Sequence, residues 1–278
     1  MSYRIIGDSC TDLPKALKED PHFMLVPLTL IVDDFSIVDD ETFDQKDFLS
    51  RVKASPHSPK SACPSPEDYM KHFDFDGDIY VITLSSQLSG SYNSAELAKR
   101  LYLEDHPDKK IEIIDSRSAS VAQALIAMKI KELIENSHPF EAVVDKINAF
   151  RDGLFTKFVL ESLDTLRKNG RLTGIQAIIA SALNIKPVMG ATAEGTIYKL
   201  DQARGIVKAL LLMVKAIEQD ALKPQERILG ISHCNNYERA LFVKDEILKR
   251  IPFKDCFIVD TQGVSSMYAC EGGIITAY

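Results

Sequence analysis

The sequence predicts an α/β protein of two domains: an N-terminal α/β/α domain on a parallel sheet, and a C-terminal α/β domain with a mixed sheet. Two patterns carry this. In the first half, short apolar runs ending in polar turns alternate with helix-spaced stretches, the βαβ signature of a parallel sheet. In the second half a hairpin turn at Glu194-Gly195 joins two strand-like runs, so antiparallel pairing enters beside further strand–helix units.

The elements follow in order. Tyr3 to Asp8 is a short strand ending in a polar turn, and Leu25 to Val32, rich in Leu and Val, is a second. Asp78 to Leu84 is a continuous apolar run bounded by Gly77 and Ser85, as in a strand buried on both faces. Tyr92 to Leu103 places Ala95, Ala98, Leu101 and Tyr102 at helical spacing before the strand Ile111 to Asp115. Helices are expected over Ala119 to Glu135 and Phe140 to Arg151. A boundary falls near residue 155, dividing the chain into domains 1–155 and 156–278. Beyond it Phe158-Val159-Leu160 starts a new unit, followed by a short helix, Leu163 to Lys168, closed by Asn169-Gly170. A small-residue apolar helix is expected over Gly174 to Leu183, then strands at Ile185 to Val188 and Thr196 to Leu200. Helices at Val207 to Gln219 and Tyr237 to Arg250 alternate with strands at Ile228 to Ser232, Cys256 to Asp260 and Ile274 to Ala277.

Composition bounds the function. The 278 residues are 45% hydrophobic and 26% charged, enough for a sizeable core. A formal charge of -7 with scattered Lys and Arg argues against nucleic acid, which needs a clustered basic surface. No signal peptide is read, since Ile5-Ile6 is broken at once by Gly7 and Asp8. Val207 to Ile217 is short and carries Lys208 and Lys215, so it reads as a core helix and no transmembrane segment is expected. Five cysteines, odd in number and without a CxxC pair, read as free thiols in a reducing compartment, hence a cytoplasmic protein.

Four loops can carry chemistry. Asp8-Ser9-Cys10-Thr11-Asp12 follows the first strand, where open α/β sheets place ligands, although the same residues also suit a turn and a helix cap. Ser85 to Ser94 joins a buried strand to a helix. There Gly90 permits close backbone approach, the helix start presents free N–H groups, and Ser89 and Ser91 add hydroxyls, a set suited to a carboxylate or phosphate. The loop lacks the lysine of a Walker P-loop and the flanking glycines of a nucleophile elbow. In Pro59 to Asp68, Ser65, Pro66 and Asp68 have the spacing of a capped helix start, which leaves Ser61 as a ligand donor. Arg171 and Arg204 sit in turns from which a guanidinium can reach an interdomain cleft. The histidines show no HxxxH spacing, no metal site is read, and only His233 stands at a strand's carboxyl end.

Taken together these motifs resemble the DegV family. The family's Asp-Ser-x-x-Asp opening is matched by Asp8 to Asp12. Its Thr-Ser-x-Pro loop is matched by Ser61-Ala62-Cys63-Pro64, with Ser for Thr and Ala for Ser. Ser89-Gly90-Ser91-Tyr92, Ile114-Asp115-Ser116, Gly170-Arg171-Leu172 and Ala203-Arg204 complete a series spanning essentially the whole chain. The resemblance implies one long-chain fatty acid, its chain buried in the second domain and its carboxyl group met by hydroxyls at the domain junction. It implies that some members present the acid to a separate fatty acid kinase, and that the bound acid is the ligand with no further cofactor. Carried over, Ser61 and Ser89 bind the carboxylate with Gly90 and Ser91, Arg204 and Cys270 lie nearby, and Gly174 to Leu183 lines the acyl tunnel. Kinase-partnered members carry a histidine before a Gly-rich C-terminal turn. Here Ser265 to Gly273 has none, and Ala269 or Cys270 stands in its place. The expectation is therefore a binding protein and not an enzyme, with a Ser- or Cys-dependent acyl hydrolase or transferase as the alternative.

Overall fold

The computed structural model describes residues 2–172 and 184–278, and element numbers run through these residues. The expected small-residue helix at 174–183 lies outside them. The chain opens with β1 (Tyr3–Asp8), a single helical turn α1 (Lys15–Lys18) and β2 (Phe23–Val26). Next come β3 (Thr29–Val32), β4 (Phe35–Val38), α2 (Gln45–Ala54), β5 (Lys60–Ala62) and α3 (Pro66–Met70). The βαβ pattern resumes with β6 (Asp78–Thr83), α4 (Ser91–Asp105), β7 (Ile111–Asp115), α5 (Val121–Glu135) and α6 (Phe140–Asp152).

Strands β2-β1-β6-β7 form a wholly parallel sheet, as the sequence predicts. Alternation along its central strands feeds two cores. Ile5, Tyr80 and Ile82 pack against α5 and α6, whereas Ile6, Ile79 and Val81 pack with Tyr69, Ala95 and Ala98 on the other face. The run expected as one strand over Leu25 to Val32 is two strands in different sheets. Pro27 has no N–H to give a ladder, and the Leu28 N–H donates to Ser9 Oγ at 3.0 Å instead, so the chain leaves the parallel sheet there. Strand β3 then pairs with β4 and β5 in an antiparallel three-stranded sheet that the sequence did not lead us to expect.

The second half comprises β8 (Thr156–Val159), α7 (Asp164–Lys168), β9 (Ile185–Ala191), β10 (Ile197–Arg204), α8 (Ile206–Asp220), β11 (Ile228–His233), α9 (Tyr237–Leu248), β12 (Asp255–Asp260), α10 (Gly263–Ala269) and β13 (Ile274–Ala277). Its sheet runs β10-β9-β8-β13-β11-β12, antiparallel throughout except for β11 against β12, and so is mixed. Helices α8 and α9 cover one face through Leu210, Met213, Val214, Val243 and Ile247. The other face, with Phe158, Leu160 and Met189, turns toward the first half. Between the sheets lies α5, apolar nearly all round because it is buried on both sides. Ala124, Ala127 and Ile130 face the parallel sheet, while Val121, Ala122 and Leu125 pack beside Ala277 of the mixed one. Among the described residues no helix is long and apolar enough to cross a membrane.

Candidate functional site

The Ser85–Gly90 loop is shaped from beneath by Asp8 at the end of β1. Its fully buried carboxylate accepts from Leu84 N at 2.8 Å, Ser91 Oγ at 2.6 Å, Gln123 Nε2 at 2.9 Å and Cys10 N at 3.2 Å. Burial raises its pKa and these donors oppose the rise. The single Ser91 proton goes to Asp8, so Ser91 Oγ accepts from the Tyr69 hydroxyl, 2.6 Å away. Burial holds that phenol well above its ordinary pKa, so it keeps the proton it donates. Ser91 is therefore a buried strut of the loop, with no hydroxyl hydrogen left for a ligand.

Ser89 and Gly90, two residues and one residue earlier, do reach open space. A cleft of about 250 Å³ is bounded by them together with Ser61, Cys63, Arg171 and Tyr268. Ser61 arrives because β5 pairs with β3, placing it opposite Leu30, and its Oγ lies 3.4 Å from the Tyr268 hydroxyl. Ser89 Oγ accepts from Ser91 N at 3.2 Å, which leaves its own proton free to point into the cleft. Arg171 is set by the end of α7, where its N–H bonds Leu166 O at 2.8 Å. Its side chain donates Nε–H to Leu88 O at 3.1 Å and Nη1–H to Asn169 O at 2.5 Å, and the guanidinium lies 5.9 Å from the Tyr268 ring centroid.

The cleft adjoins an apolar cavity of about 100 Å³ between the two sheets. Leu84, Leu88, Arg171, Val264 and Tyr268 are walls of both. Deeper walls are Phe158, Leu160, Ile197 and Ile275 from the free face of the mixed sheet.

Helix α10 brings Val264 and Tyr268 to this junction, and buried carboxylates of the first half hold its start. Asp39 accepts from Gly263 N at 2.7 Å, Val264 N at 2.9 Å and Ser9 Oγ at 2.8 Å. A Cβ at residue 263 would stand 2.6 Å from Asp39 Oδ1, so the close approach requires glycine. Asp12 accepts from Gln262 N at 2.7 Å and Ser120 Oγ at 2.5 Å. Burial pushes Asp39 up to about 6 and Asp12 up to about 7.

Of the residues expected at the site, Ser61, Ser89 and Gly90 meet in one cleft. Arg204 does not join them: it ends β10 and borders a separate surface hollow with Glu161, Lys186 and Lys208. Cys270 follows α10 with its Sγ against the Met267 and Tyr268 carbonyls, and it is not among the residues bounding the cleft. His233 is buried, its Nδ1 3.3 Å from Asp260 and 3.2 Å from Asn236 N, so it is turned away from Ser89 and no Ser–His pair forms. Burial pushes Cys234 up to about 12 and Cys256 up to about 11, which leaves both as thiols at neutral pH. The tunnel residues expected at 174–183 lie outside the described residues. Tyr268 carries no signal in the sequence, whereas Arg171 stands at a cleft of the kind its turn position lets it reach.

The family model described as "Uncharacterised protein, DegV family" matches residues 2–277. This chain belongs to the DegV family. A DegV domain-containing protein of Streptococcus pneumoniae is 38% identical over 284 residues, covering 100% of this chain and 99% of the relative. The DegV family protein of Ruminococcus gnavus, solved with vaccenic acid, matches with a TM-score of 0.98 at 45% identity and covers 100% of both chains. The fatty acid kinase (Fak) B3 protein of Streptococcus pneumoniae, loaded with linoleic acid, matches with a TM-score of 0.93 at 36% identity, covering 100% of this chain and 99% of that one.

Proposed function

We propose that this DegV chain binds a long-chain fatty acid, holding the carboxylate in the cleft at Ser61, Ser89 and Gly90 and the acyl chain in the cavity beyond. The observation that carries this reading is that a hydroxyl-lined cleft and an apolar cavity adjoin across shared walls. The polar mouth offers the Ser89 hydroxyl, the Tyr268–Ser61 pair and the Arg171 guanidinium, all donors suited to a carboxylate. The apolar depth supplies most of the affinity, at about 0.8 kcal/mol per buried CH₂, against roughly 1 kcal/mol for one hydrogen bond. The fatty acids named for the Ruminococcus and Streptococcus proteins support the same ligand class. In this reading residues 1–155 and 156–278 are two domains and the acid lies at their junction.

We read the protein as a carrier: no histidine borders the cleft among the described residues, and His233 Nδ1 lies against Asp260 and Asn236 N instead. The chain's likeness to Fak B3 supports presentation of the bound acid to a fatty acid kinase. The Tyr268 hydroxyl, beside Ser61, supplies a donor in a C-terminal stretch that has no histidine.

Native mass spectrometry of protein purified from cells, with labelled palmitate binding to the delipidated protein, tests the carrier reading. A bound acid and saturable palmitate uptake are expected. Absence of both, or turnover of acyl esters that vanishes in Ser89→Ala, overturns it. Acyl-phosphate formed only when this chain, a fatty acid kinase and ATP are combined is the expected result for presentation.

A further inference from the structure

The apolar cavity has a second neighbour. Ser118, Thr156 and Ala191 are walls both of the cavity and of a polar cleft of about 270 Å³. That polar cleft shares no wall with the Ser89 cleft, so the cavity is bordered by two separate clefts. Ser118 Oγ and Thr156 Oγ1 meet at 2.7 Å, both buried, across the junction between the halves. The Ser118 backbone is fixed by its N–H to Ser116 Oγ at 3.2 Å and by the Ser85 N–H to its carbonyl at 2.8 Å. Thr156 is fixed by pairing of β8 with Ala277.

From this arrangement we propose that Ser118 and Thr156 form the wall that ends the acyl site and set the longest chain it accepts. The inference rests on the fatty-acid reading above. A methyl terminus can abut the paired hydroxyls without cost. The next methylene must part a buried hydrogen bond, leaving two hydroxyls unpaired. Past the wall it enters a space where Arg117 and Arg151 both converge on Asp152 Oδ1, at 3.1 and 2.8 Å. Hydrocarbon gains nothing among such charged, hydrated groups. Affinity therefore rises with chain length up to the wall and then stops rising.

The test measures Kd for a saturated series of acids of increasing length with the delipidated protein and three variants. In the parent protein each added methylene tightens binding about fourfold, the equivalent of 0.8 kcal/mol, until a turning point. Thr156→Ala removes both methyl and hydroxyl. It moves the turning point out by one or two methylenes, tightening the first acid past the parent optimum by about fourfold or more. Ser118→Ala breaks the same pair from the other half and moves it in the same direction, which covers the case that one variant folds poorly. Thr156→Val breaks the same pair while keeping the bulk of the wall, so it moves the turning point outward by less than Thr156→Ala does. If the parent shows a turning point that neither alanine variant moves, the wall is elsewhere and this inference fails while the fatty-acid reading stands. If the parent binds no acid of any length, the fatty-acid reading fails and takes the inference with it.

Discussion

Ser91 Oγ donates to Asp8 Oδ2 at 2.6 Å with both groups fully buried, so two serines separated by a single glycine, Ser89 and Ser91, have opposite duties. Ser91→Ala leaves Asp8 and Tyr69 each short of a partner in the interior. The expected loss is about 1–3 kcal/mol of stability, read by urea denaturation of delipidated protein. Ser89→Ala removes a hydroxyl facing the cleft and one part-buried acceptor for Ser91 N, so stability falls less than in Ser91→Ala while fatty acid binding weakens about fivefold, the equivalent of roughly 1 kcal/mol. Equal stability losses in the two variants would refute this division of labour.

Arg171 is the cation that bounds the cleft, and its guanidinium is already anchored on the Leu88 and Asn169 carbonyls. A preplaced cation selects a carboxylate over an uncharged head group. Arg171→Gln should weaken binding of a fatty acid on the order of tenfold or more, as expected for a charged hydrogen bond of about 1.5–3 kcal/mol, and leave the matching fatty alcohol within twofold. Parallel titrations of the two ligands decide it. An equal loss for both would assign Arg171 to holding the wall and not to charge recognition.

The Ser85–Gly90 loop was legible from sequence as a candidate site because its signals are local: an apolar strand, small hydroxyl residues and a helix start lie consecutively. The duties of its serines were not legible, since what consumes the Ser91 proton is Asp8, 83 positions away in the chain. Helix α10 carries no local start signal for the same reason. Its N–H groups are capped by Asp39, more than two hundred residues upstream, and its first residue is a glycine chosen for clearance and not for helix propensity. Tyr268, on that helix, was therefore invisible as a site residue. Arg171 and Arg204 look alike in sequence, each in a turn, and only the tertiary arrangement separates the one at the cleft from the one on a distant hollow. The central strands of the parallel sheet were readable because both faces of β1 and β6 are buried, a condition written into the residues of the strands themselves.

Burial of Asp12 and Asp39 gives a pH dependence of definite sign. Their folded pKa values, about 7 and about 6, lie above the ordinary 3.8, so between these limits the folded state binds more protons than the unfolded chain. Their contribution is fully present below pH 3.8 and is lost as pH rises through 6 and 7, at up to about 1.4 kcal/mol per pH unit for each group. Stability from these two should therefore increase from pH 7.5 down to about pH 5, as read by denaturation midpoints. Asp12→Asn should flatten that dependence above pH 5, because the amide oxygen can still accept from Gln262 N while the amide nitrogen donates to Ser120 Oγ. Asp39→Asn should destabilise at every pH, since both carboxylate oxygens accept and an amide offers only one acceptor. An unchanged slope in Asp12→Asn would show that Asp12 does not titrate in this range.

Gly195 joins the halves of the molecule at the tip of the β9–β10 hairpin. Its carbonyl accepts from Ser85 Oγ at 2.7 Å, and its φ of +89° lies in the region that favours glycine. A Cβ there would stand 2.3 Å from Ser85 Oγ and 2.8 Å from the Arg117 Cα. The serine hydroxyl can rotate away, but the Arg117 backbone cannot, so the hairpin itself must move. Gly195→Ala should therefore cost about 1–3 kcal/mol through strained backbone and lost contact. Because the hairpin walls the apolar cavity through Ala191, Gly195 and Ile197, the same variant should bind fatty acid more weakly and exchange the amides of residues 191–197 faster. Hydrogen exchange on delipidated protein separates this from a global effect. Faster exchange confined to the hairpin and the facing Ser85–Leu88 turn is expected, and uniform acceleration through the parallel sheet would count against a local hinge.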